Sequence, residues 1–72
     1  MRYAVIQQSN GNFLVVAETG ENKESAFVNF HSTCAALWND PAEIDAVVKI
    51  VDSNLDTVEG RVEFISHPAK NA

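Results

Sequence analysis

The chain has 72 residues, 46% of them apolar and 21% charged, which allows one small folded domain and argues against disorder. Ten acidic against five basic residues give a net charge of -5, and Arg2, Lys23, Lys49, Arg61 and Lys70 stand singly, which argues against the clustered basic face of a nucleic-acid binder. Cys34 is the single cysteine, so no intrachain disulfide can staple the fold, and a lone thiol fits a reducing, cytoplasmic compartment.

Taken in chain order, residues 2–8 read as a strand with Tyr3, Val5 and Gln7 on one face and Ala4 and Ile6 on the other. Ser9-Asn10-Gly11-Asn12 is a turn, because Asn-Gly supplies the positive φ of a tight hairpin, and residues 13–18 form the returning strand. Thr19 to Asn22 breaks that strand. Asn22 is then placed to cap a helix, with Glu24 at its positive end. Phe27, Phe30, Cys34, Leu37 and Trp38 fall on one stripe at helical spacing, so a helix is expected over 23–38. Asn39-Asp40-Pro41 ends it, since the residue before proline is driven out of the helical region.

The segment 41–51 supports two readings. Pro41-Ala42-Glu43 can open a second helix, but the β-branched run Ala46 to Val51, followed by a turn at 52–56, favours a strand over 44–52. An alternating strand follows, with Val58, Val62 and Phe64 on one face, and Gly60 inside it hints at a bulge. Ser66 to Ala72 is polar, so the domain is taken as 1–66 with a flexible tail over 67–72.

The expected fold is α+β: β-β-α-β-β, one helix on a four-stranded, mainly antiparallel sheet. Its expected core is Val5, Phe13, Val15, Phe27, Phe30, Cys34, Leu37, Trp38, Val48, Ile50, Val62 and Phe64. The opposite face then carries Ala4, Ile6, Leu14, Val16, Val47, Val51 and Ile65 among Arg2, Gln8, Glu18, Lys49, Glu59, Arg61 and Glu63. A face open to water should be mainly polar, and this one is half apolar. Ile6, Leu14, Val16, Val47, Val51 and Ile65 are therefore the candidate interface residues. A chain of this size buries only about 60% of its unfolded surface, and a second copy would add buried area.

No motif specifies an activity. His31 and Cys34 share a helix face, but a zinc site needs four ligands, and a Cys–His nucleophile needs an orienting group and an oxyanion hole. Asp52-Ser53-Asn54-Leu55-Asp56 lacks the glycine and terminal glutamate of a calcium loop, so it is a plain turn. No glycine-rich phosphate loop is present, and no apolar run approaches the ~20 residues that cross a bilayer. No signal peptide is evident at the start, where Tyr3 to Ile6 soon gives way to Gln7-Gln8. No catalytic, cofactor-binding or metal-binding residue is assigned.

Tyr3-Ala-Val-Ile-Gln7, Asn10-Gly-Asn-Phe13, Phe30-His-x-x-Cys34-x-x-Leu-Trp-Asn39, Ile50-Val-Asp52, Leu55-Asp56 and Glu63-Phe-Ile-x-His-Pro68 together cover nearly the whole chain. In these residues it resembles short uncharacterised proteins of gut anaerobic bacteria and their phages. The resemblance implies a stand-alone small domain and the second-hairpin reading of 44–66, and it brings no activity. Met1-Arg-Tyr-Ala-Val-Ile6, with the hairpin and helix that follow, is similar to the start of HicB-type antitoxins. The proline- and glycine-containing segment that such antitoxins place before the helix is missing, and no DNA-binding tail follows. The expected role is therefore non-enzymatic: a small interaction or accessory protein, a homodimer through the half-apolar sheet face or an edge strand. The alternative is an acidic inhibitor or antitoxin-like module that binds a foreign protein, with no nucleic-acid or membrane partner in either case.

Overall fold

The computed structural model describes residues 1–70. Strands β1 (Tyr3–Ser9) and β2 (Asn12–Gly20) form a hairpin, helix α1 (Lys23–Asn39) follows, and β3 (Ile44–Asp52) and β4 (Thr57–His67) form a second hairpin. The four strands make one sheet in the order β2-β1-β3-β4, and every pairing is antiparallel. The fold is the expected β-β-α-β-β, and the β-branched run 44–52 is a strand.

Local chemistry accounts for the element ends. Asn10 (φ 51°) and Gly11 (φ 86°) both take the left-handed conformation of a two-residue hairpin turn. Asn22 caps α1 with its side-chain oxygen, which accepts from the Ser25 N–H at 2.9 Å. Asp52 Oδ1 accepts from the backbone N–H of Asn54 and Asp56, closing the turn between β3 and β4.

The core lies between the helix and one sheet face. Val5, Val48, Ile50 and Ile65 are completely buried, under Ala26, Phe30, Cys34 and Leu37 of the helix. Four strand residues expected there lie elsewhere. Phe13 and Val15 of β2, and Val62 and Phe64 of β4, are exposed on the face away from the helix. Conversely, Leu14, Val16 and Ile65, expected on the open face, lie on the helix side. The two central strands keep their expected faces and the two edge strands exchange theirs.

The reason is register. A two-residue turn pairs Ser9 with Asn12, so odd-numbered residues of β1 share a face with even-numbered residues of β2 until a bulge near Val16 and Ala17. Val5 and Phe13 cannot then face the same way. On β4, Val51 pairs with Thr57 but Lys49 pairs with Val62, so three extra residues are looped out around Glu59 (φ 49°) and Gly60 (φ 67°). An odd insertion reverses the faces. Val58, before it, and Ile65, after it, both enter the core.

Trp38 was expected to close the core stripe, and it sits instead at the rim, 41% exposed. Its indole N–H donates to Glu63 Oε2 at 2.6 Å, and His67 stacks on its ring. Arg61, also expected on the open face, lies on the helix side with its guanidinium over the Phe27 ring. The last turn of α1 carries no basic residue. Groups from the C-terminal end of the chain supply donors there: a ring nitrogen of His67 lies 2.8 Å from the Leu37 carbonyl, and the Lys70 ammonium donates to the Trp38 carbonyl. The flexible tail expected over 67–72 reaches beyond the described residues at 71–72. At its beginning, His67 belongs to β4 and the Lys70 N–H donates to the Pro41 carbonyl at 2.8 Å.

Candidate interaction surface

The strand registers place the residues of the open face in rungs that run across the sheet. One rung is Phe13, Gln8, Val47 and Phe64, and the next is Val15, Ile6, Lys49 and Val62. A third carries Glu18, Ala4, Val51 and Thr57. Six of the eight side chains in the first two rungs are apolar, and Lys49 is the single charge among them. Phe13 is 82% exposed, Phe64 72% and Val15 56%. Ile6, Phe13, Val47 and Val62 also line a groove of about 350 Å³ with Gln8 and Lys49.

The surface continues around the β2 edge. Leu14 lies on the helix side, yet it is 57% exposed, because the helix does not cover this end of the strand. Three consecutive large apolar residues, Phe13, Leu14 and Val15, are thus exposed on both faces of one edge strand. An uncovered edge of this kind is a template on which another strand can pair.

Of the six residues expected at an interface, Ile6, Val47 and Val51 lie on the open face, with Val51 itself buried. Leu14 reaches the same surface from the β2 edge. Val16 packs against the core and Ile65 is inside it, so neither is available. The sequence reading missed Phe13, Val15, Val62 and Phe64. For β2 the missed signal was the two-residue length of the Asn10-Gly11 turn, which already dictates the parity of the hairpin.

Cys34 and His31, one helical turn apart, differ in exposure. Cys34 is buried, and burial, with a smaller contribution from the Glu63 charge, pushes its thiol up to about 11. That direction opposes nucleophilic use. His31 is exposed, with its ring edge-on to Phe30. Among the described residues no group of three His, Cys, Asp or Glu side chains is placed to hold a metal ion. No described helix is long and apolar enough to cross a membrane. Compared with protein families, with curated proteins and with solved structures, the chain matches none.

Proposed function

We propose that this chain is a non-enzymatic, cytoplasmic interaction protein that self-associates through the surface formed by the open sheet face and the β2 edge. The observation that carries the reading is the contiguous exposure of Phe13, Val15, Val62 and Phe64, with Ile6 and Val47 between them. Burying such side chains gains about 25 cal/mol per Å² of apolar surface removed from water.

The surroundings support a protein partner over nucleic acid. Lys23 is paired with Glu59, Arg61 covers Phe27 and Lys70 reaches the Trp38 carbonyl, which leaves Lys49 on the open face and Arg2 beside Ala4 and Val51 at its far end, two separated charges and no basic cluster. The raised thiol pKa of Cys34 supports the absence of thiol chemistry. Sedimentation velocity of the untagged protein, from low to high micromolar concentration, tests the reading. A sedimentation coefficient that rises to the dimer value is expected, and a monomer throughout would end it.

A second reading is an acidic inhibitor or antitoxin-like module for a basic foreign protein. It is favoured by the ten carboxylates, of which only Glu21 and Glu59 are in ion pairs among the described residues. It expects a monomer whose melting temperature rises when a basic partner is added.

A further inference from the structure

The geometry points to one arrangement of the self-association proposed above, on which it rests: β2 of one copy pairs antiparallel with β2 of a second copy about a two-fold axis at Leu14, making one continuous eight-stranded sheet. The argument begins with the main chain. The Asn10 N–H donates to the Asp45 carbonyl on β3 at 3.0 Å, which fixes the alternation along β1. Odd-numbered residues of β1 then turn their N–H and C=O groups to β2, and even-numbered ones to β3. Gln7 therefore exchanges bonds with Leu14, whereas Phe13 and Val15, opposite Gln8 and Ile6, point theirs out of the sheet.

A two-fold axis at Leu14 brings those outward groups together. Phe13 falls opposite the partner's Val15, and Val15 opposite the partner's Phe13, and each pair exchanges two hydrogen bonds. On the open face each phenylalanine then lies beside a valine of the other copy. On the helix side Leu14 meets the partner's Leu14 as a non-hydrogen-bonded pair, the closer of the two kinds. The three most exposed apolar residues of the edge all acquire apolar neighbours. Glu18, the one charge on β2, falls opposite the partner's Asn10, so no like charges meet.

The occupant is a second copy because the strip is complementary to itself. Its Asn12–Val15 stretch is also unguarded: β2 has no proline, lysine or arginine, and its irregularities lie beyond Val15. The other edge is guarded. β4 carries the looped-out Glu59-Gly60, and Pro68 follows its last residue.

Two variants test this arrangement. Leu14→Cys should form a reducible disulfide dimer under mild oxidation, while the wild-type protein, with Cys34 buried, should not. Val15→Pro removes an outward N–H without touching the β1–β2 bonds and should weaken dimerisation at least tenfold, whereas Val15→Thr should change it less than threefold. If Val15→Pro fails to fold, the Leu14→Cys result decides alone. A wild-type dimer that gives no disulfide at position 14 would overturn edge pairing and leave the broader self-association standing. A wild-type monomer at all concentrations would overturn both.

Discussion

The two edges of this sheet are finished in opposite ways. On β4 the chain is looped out at Glu59-Gly60, that loop is held by the Lys23–Glu59 ion pair at 2.5 Å, and the far end is fastened to the helix through His67. On β2 the strand runs for nine residues, with Phe13, Leu14 and Val15 in water and no positive charge along it. An edge strand is a template for another chain unless something blocks it. The contrast shows which edge is fastened to the helix and which leaves apolar side chains in water.

The sharpest way to break this picture is to compare neighbours on β4. Ile65 is fully buried and Phe64 is 72% exposed, solely because of the looped-out residues between β3 and β4. Ile65→Ala should cost about 2–5 kcal/mol of stability, and Phe64→Ala within about 0.5 kcal/mol, in urea unfolding at concentrations where the protein is monomeric. Equal losses, or the reverse order, would mean that β4 presents its other face to the helix.

The loop itself gives the next effect. Gly60 holds φ +67° with open space where a Cβ would stand, so Gly60→Ala carries a backbone cost alone, about 1–2 kcal/mol. The thermal melt should fall accordingly. A neutral result would remove the left-handed conformation at position 60. Asn22→Ala should lower stability by about 1 kcal/mol through loss of the Ser25 N–H acceptor, with little change for Asn22→Asp.

Two pH-dependent effects are smaller. Burial raises the Cys34 thiol, so the folded chain holds that proton more tightly than the unfolded chain. This contribution is whole below the ordinary thiol value of 9.0 and is lost as pH rises toward about 11. Cys34→Ala should flatten that alkaline decline in a series of urea titrations. The Lys23–Glu59 pair should contribute least, because both side chains are exposed. Its hydrogen bond and charge lower the Glu59 carboxyl, so the contribution is present above the ordinary carboxylate range and fades as pH falls through the depressed value. The same contact raises Lys23, which carries the pair intact into the alkaline range. Glu59→Gln should therefore matter at neutral pH in low salt and vanish in acid or in high salt.

Much of the fold was legible in the residues themselves. Asn10-Gly11 marks a turn, Asn22 a helix start and Asp40-Pro41 a helix end, because each answers a local steric or hydrogen-bonding demand. Stripe and alternation separated the helix from the strands, and Ala46 to Val51 declared itself a strand through its β-branched content. The sides of the edge strands were not legible in the same way. Both faces of β2 are rich in apolar residues, so composition could not choose between Phe13 and Leu14, whereas on β4 the alternation of Val62 and Phe64 against Arg61 and Glu63 pointed to the face that the looped-out residues turn away from the helix. On β2 the choice was present in the length of the turn. On β4 it depended on three looped-out residues whose number follows from how β3 and β4 meet beneath the helix. Local propensity thus determined where each element begins and ends, and long-range pairing decided which apolar residues became core and which were left as surface. A single-residue change in register exchanges the two faces of a strand, and only the completed sheet holds that register.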